Sequence, residues 1–100
     1  MMFAVDGFDW DAGNGPKCAK HGVTREDIEA VFHSTPMILP DRTPQDRETR
    51  YNAIGKTAAG RMVFLVFTLR RRDGVTLIRP ISARFMHRKE IEHYERHTGQ

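Results

Sequence analysis

RMVFLVFTLRRRDGVTLIRPIS, residues 61–82, reads as two β-strands joined at Asp73-Gly74. Its first half is rich in β-branched and aromatic residues, and Asp-Gly between two such runs is a strong short-range signal for a two-residue hairpin loop. That loop length fixes the register: Arg72 faces Val75 and Thr68 faces Arg79. Side-chain alternation then puts Val63, Leu65, Phe67 and Leu69 on one side with Ile78 and Pro80, an apolar surface suited to packing helices. The other side carries Thr68, Arg70 and Arg79 on a floor of Phe64, Val66, Leu77 and Ile81. Pro80 has no N–H to give a ladder and predicts an edge position or a bulge. Charged residues are rarely buried unpaired, so Arg79 is expected to point to solvent or to a ligand from the open face.

Upstream, Phe8-Asp9-Trp10-Asp11 alternates apolar and acidic residues and predicts a short strand begun near Phe3, with Phe8 and Trp10 on one face and Trp10 in the core. Gly13-Asn14-Gly15-Pro16 is a turn into a short helix through Lys17, Cys18, Ala19 and Lys20, stopped by Gly22. Thr24 with Asp27 three residues on resembles a capping box and starts a second helix to about His33, with Ile28, Val31 and Phe32 facing the core. Met37-Ile38-Leu39, between Pro36 and Pro40, is an edge strand. The polar stretch 41–48 is an exposed loop, Tyr51 to Ile54 a further strand, and Gly55 to Gly60 a turn into the hairpin. Downstream of Ser82 and Arg84, a charged helix begins near Met86, with His87, Ile91 and Tyr94 on one stripe, and is expected to cover one side of the sheet. The order strand, two helices, four strands, helix predicts an α+β fold: one small domain over residues 1–100, with an antiparallel β-sheet, two N-terminal helices and one C-terminal helix.

One hundred residues allow one modest core. No apolar run is long enough to span a bilayer, and Met1 to Asp6 does not read as a signal peptide, so a cytoplasmic protein is expected. The single cysteine, Cys18, fits a reducing compartment. Sixteen Lys and Arg oppose thirteen Asp and Glu, for a formal charge of +3. The excess is concentrated between Arg61 and Lys89, where Arg70, Arg71, Arg72, Arg79, Arg84 and Arg88 also lie and Asp73 is the only acid. That asymmetry points to an anionic partner such as nucleic acid or an acidic protein segment. His93 and His97 have the spacing of a helical metal pair, but the glutamate between them is misplaced for a zinc protease motif. No phosphate loop, nucleophile elbow or paired-carboxylate motif is evident, and neither metal nor cofactor is expected.

The chain resembles the BrnT-type ribonuclease toxins of toxin–antitoxin operons. The resemblance rests on Phe8-Asp9-Trp10-Asp11, Lys17, Lys20-His21-Gly22-Val23, Glu29 with Val31-Phe32, Arg50, Ile54-Gly55, Gly60-Arg61, Thr68, Arg70, Arg79, Ile81-Ser82-Ala83-Arg84, Glu90 and Tyr94. It departs at Gly13-Asn14, Cys18 and Phe85-Met86-His87. The resemblance implies a RelE-like fold, RNA cleavage that halts translation, a ribbon-helix-helix (BrnA-like) antitoxin, and contact with operator DNA only through that antitoxin. The alternative is a non-catalytic relative that keeps the antitoxin-binding surface and acts in transcriptional autoregulation.

Metal-independent RNA cleavage needs a base for the ribose 2′-hydroxyl, an acid for the leaving oxygen and cations for the phosphate. His21, beside Lys20 at a helix end, is the first acid/base candidate, against a structural helix-terminal role. His87 is the second, against half-buried packing. Arg70, Arg79 and Arg84 are candidates to hold phosphate, against salt-bridge roles with Glu90, Glu92 and Asp46. Lys17, Lys20, Arg61, Arg71, Arg72 and Lys89 are the wider RNA-binding set.

Overall fold

Asp73 and Gly74 both adopt left-handed backbone, with φ of 52° and 81°. Positive φ at both central residues is what a type I′ two-residue loop requires, and its twist matches that of the strands it joins. The computed structural model describes residues 5–41 and 49–98. In chain order its elements are β1 (Gly7–Phe8), α1 (Gly15–Ala19), α2 (Arg25–His33), β2 (Met37–Pro40), β3 (Tyr51–Lys56), β4 (Met62–Arg72), β5 (Val75–Phe85) and α3 (Arg88–Thr98). The fold is α+β, with one five-stranded mixed sheet in the order β1-β5-β4-β3-β2.

The expected antiparallel sheet is corrected at one edge, where β1 pairs parallel with β5 through Gly7–Leu77 and Phe8–Ile78. Parallel neighbours need a long connection, and here nearly the whole chain is that connection. Alternation over a few residues carries no information about direction. The strand is also shorter than Phe8–Asp11 suggested. Asp9 N–H makes the last ladder bond, 2.8 Å to the Ile78 carbonyl. Beyond it the buried Asn14 side chain takes over, its Nδ2 donating to the carbonyls of Asp9 at 2.9 Å and Pro80 at 2.8 Å. Trp10 lands half-buried beside the core rather than inside it.

Between β4 and β5 the register is the expected one from Arg72–Val75 through Thr68–Arg79 to Phe67–Pro80, after which it shifts so that Val66 pairs with Ser82. Ile81 is the extra residue of a β-bulge beside the proline that cannot serve the ladder. The bulge decides where Arg84 points. Unbroken alternation would have placed Ser82 and Arg84 with Ile78 and Pro80 against the core. With the bulge, Ala83 and Phe85 pair with Leu65 and Val63 on the core side, while Ser82 and Arg84 pair with Val66 and Phe64 on the open side. The strand therefore contains Arg84 instead of ending before it.

Cys18 of α1, Val23, and Ile28 and Val31 of α2 close over Ala53, Val63, Leu65, Phe67, Ile78 and Ala83 as the core. Phe32 meets Phe67 edge-on, with ring centroids 5.0 Å apart. Thr24 and Asp27 form the expected capping box, each side chain accepting the other's backbone N–H. α2 crosses β3 closely at Gly55, where an added Cβ would lie 3.0 Å from Val31 Cγ1. β3 continues to Lys56, so the expected turn is only its last part, closed by Gly60 N–H to the Thr57 carbonyl at 2.9 Å. The 42–48 part of the polar loop lies outside the described residues.

α3 does not cover a side of the sheet as expected. Its described side chains are mostly exposed, and Tyr94 and Glu95 share a cleft with Ser34, Ile54 and Met62 at one end of the sheet. Ile91 and Tyr94 are its large apolar residues, too narrow a stripe to draw a whole helix onto a sheet. No helix among the described residues is long and apolar enough to cross a membrane.

Candidate functional site

Three arginines of β4 and β5, Arg72, Arg79 and Arg84, fall into two clusters. In the first, β1 brings Asp9 beside Arg79, and the turn that follows brings Asp11. Arg79 Nη1 donates to Asp11 Oδ2 at 2.9 Å and to Asp9 Oδ2 at 3.3 Å, and Nη2 donates to Asp11 Oδ1 at 3.3 Å. Arg72 Nη2 reaches the same Asp9 Oδ2 at 3.2 Å. Asp11 also accepts the N–H groups of Gly13 at 2.7 Å and Asn14 at 3.1 Å. The Arg79 hydrogen bond, then these two amides, hold the Asp11 carboxyl down to about 2. Asp11 in turn raises the pKa of Arg79 above its ordinary value.

Arg79 is thus on the expected face and is ion-paired there with Asp9 and Asp11. Its side chain is only 17% exposed, and two carboxylates occupy the directions a phosphate would use. Arg72, one of the RNA-binding set, ends β4 beside the loop and is paired with Asp9.

The second cluster forms where β5 passes into α3. Arg84 Nη1 and Nη2 donate to Glu90 Oε1 and Oε2, both at 2.8 Å, the parallel fork of a bidentate pair. Glu90 Oε1 also accepts the His87 backbone N–H at 2.9 Å. His87 is therefore the N-cap of α3, its carbonyl taking the first helical bond from Ile91 N–H at 3.0 Å. Its imidazole is exposed, which removes the half-buried packing role expected from the stripe with Ile91 and Tyr94. The Arg84 hydrogen bonds, followed by the His87 amide, lower the Glu90 carboxyl to about 2. At neutral pH Glu90 is a fixed anion that orients its neighbours; it is too weak a base to take a proton. The Arg84 guanidinium also lies over the Phe64 ring, 4.9 Å from its centroid. Nε–H and the outer hydrogens of both terminal nitrogens remain as donors.

Arg79 and Arg84 are five residues apart on β5, roughly 15 Å by strand rise, so one phosphate cannot bridge them. Of the proposed catalytic set, Arg84 and His87 are brought together through Glu90. His21 sits exposed in the turn between α1 and α2, and no hydrogen bond or ion pair ties it to another described residue. Arg70 is half-buried on the open face. Lys17, Lys20, Arg61, Arg71 and Lys89 are exposed. Asp9, Asp11 and Asn14 were not singled out as site residues from the sequence; their partners on β4 and β5 lie 63 to 70 positions away. Glu90 was legible only as a possible ion-pair partner.

An apolar cleft of about 340 Å³, lined by no residue of either cluster, lies on the core side between Phe8, Phe32, Ile38 and Ile78. Among the described residues no group of three or more His, Cys, Asp or Glu side chains is placed to hold a metal ion. A search of curated proteins finds no match to the chain. The family model described as the ribonuclease toxin BrnT of type II toxin–antitoxin systems matches residues 10–90, a span that includes both clusters apart from Asp9, and the chain belongs to that family.

Proposed function

We propose that this chain is a metal-independent endoribonuclease toxin with a RelE-like fold, and that its chemistry takes place where β5 meets α3. The carrying observation is Glu90, whose one carboxylate grips the Arg84 guanidinium at 2.8 Å and the His87 amide at 2.9 Å. That contact fixes a cation through the same carboxylate that holds the backbone of His87, whose imidazole is exposed. His87 serves as the acid/base group, and Arg84 offers its outer N–H groups to charge developing on the phosphate. Lys89 and Arg61 extend the positive surface for the RNA strand. Cleavage halts translation in the cytoplasm. A ribbon-helix-helix antitoxin of the BrnA type covers this surface, and the pair meets operator DNA through the antitoxin.

Induced expression without antitoxin is expected to arrest growth of a bacterial host and degrade its RNA. Unchanged growth and intact RNA, with folded soluble protein present, would sink the catalytic reading. A second reading is favoured by one observation: both Arg79 and Arg84 already hold carboxylates. Such a chain would be a non-catalytic module that binds the antitoxin and acts in autoregulation. Antitoxin binding by a protein that leaves RNA intact would select it.

A further inference from the structure

Arg61 differs from the other arginines near the site. Its guanidinium carbon lies 3.6 Å from the Phe85 ring centroid, against 4.9 Å for Arg84 over Phe64 and for Arg25 over Trp10. Arg84 is neutralised by Glu90, and Trp10 is tied to the Glu29 carboxylate at 3.0 Å. The Arg61 guanidinium has no hydrogen bond or ion pair among the described residues.

Both members of the pair are held from below. Thr57, 6% exposed, receives the Arg61 N–H on its Oγ1 at 3.2 Å and donates its own N–H to the Arg61 carbonyl at 2.9 Å. Phe85 pairs with Val63 in the ladder and packs on the core. A long side chain ordinarily loses much rotamer freedom on binding; here the backbone is pinned and the head already rests on a ring. The cation lies against the Phe85 ring, and Arg61 is an exposed residue.

We propose that Arg61 stacked on Phe85 is a platform for one nucleobase of single-stranded RNA, a positioning site two residues from His87. This rests on the RNA-cleaving reading above. Bases stack on guanidinium planes as they do on aromatic rings, and every base has such a face, so the contact positions the strand without demanding a sequence. Phe85 faces the core side and Arg84 the open side, so a base seated there would hold the strand at the end of the sheet where β5 passes into α3.

The test uses a short 2′-O-methyl oligoribonucleotide, which lacks the attacking hydroxyl, and an abasic strand of equal length, with binding read by fluorescence anisotropy. The wild-type protein should prefer the base-bearing strand by on the order of tenfold, the scale of one stacking contact. Arg61→Lys should lose that preference while keeping the salt dependence of phosphate binding; Arg61→Ala should lose the preference and lower the salt slope. Arg61→Lys, at an exposed position, leaves the fold intact, and an unchanged unfolding midpoint checks this. Retention of the full preference by Arg61→Lys, or equal wild-type binding of the two strands, overturns the platform and leaves the ribonuclease reading standing. Wild-type protein that binds neither strand overturns both.

Discussion

Removing the Arg79 side chain would take one of two guanidinium partners from Asp9, whose own side chain is 10% exposed. A phosphate-binding arginine on an open face would change stability by no more than about 0.5 kcal/mol when truncated. Arg79→Ala is instead expected to cost roughly 1–3 kcal/mol, the penalty of leaving a buried charged acceptor short of donors. Urea unfolding midpoints check this, and a loss under about 0.5 kcal/mol would return Arg79 to the role its sequence position suggested. The side of the sheet was legible from the Asp73-Gly74 loop and strict alternation. The carboxylates were not, because nothing local links position 79 to positions 9 and 11.

Acid titration tests the same pairs. Glu90 and Asp11 sit near 2 in the folded protein against ordinary values of 4.5 and 3.8. A carboxylate with a depressed folded pKa contributes its stabilisation in full above the ordinary value, and loses it as pH falls through the folded one. Stability should therefore decline between about pH 4.5 and 2. Glu90→Gln should flatten part of that decline while lowering stability at neutral pH. Solvent screening keeps both effects modest at these exposed positions, so the slope against pH is the quantity to measure.

The element that most shapes the molecule is the β4–β5 hairpin, and its turn makes a clean prediction. Gly74 has φ of 81°, and an added Cβ would meet nothing within 4 Å. Gly74→Ala should therefore pay only for left-handed backbone, about 1 kcal/mol. Gly74→Asn should cost less, because asparagine tolerates that region. Equal unfolding midpoints for wild type and the alanine variant would contradict the turn. The hairpin was readable because turn chemistry and alternation agree there. The far end of β5 was less so: Pro80 signalled an edge or a bulge, but only the ladder shows that Ile81 is the extra residue and that Arg84 faces out. α3 was readable as a helix from its charge and spacing. Its position was not, since two apolar side chains set no docking face.

At the scale of the whole molecule, the sheet order gives the two ends of β5 different surroundings. β1 travels to the outer edge of β5 and delivers two aspartates to Arg79, so that end of the strand is an ionic staple. The other end of β5 emerges beyond the bulge beside the start of α3, where Arg84, His87 and Glu90 share one carboxylate and Arg61 rests on Phe85. The order of elements was visible in the sequence, and so were the basic residues from 61 to 89. Their division into neutralised and available cations was not, because it depends on which acids the parallel strand and the last helix bring alongside.

Whether the chemistry lies at the β5–α3 end is decided by RNA cleavage rates of purified His87→Ala and His21→Ala proteins with wild-type unfolding midpoints. Loss of a general acid or base costs on the order of a hundredfold or more in rate. That loss is expected for His87→Ala, and a rate within a few-fold of wild type for His21→Ala. Cleavage abolished by His21→Ala and untouched by His87→Ala would contradict it.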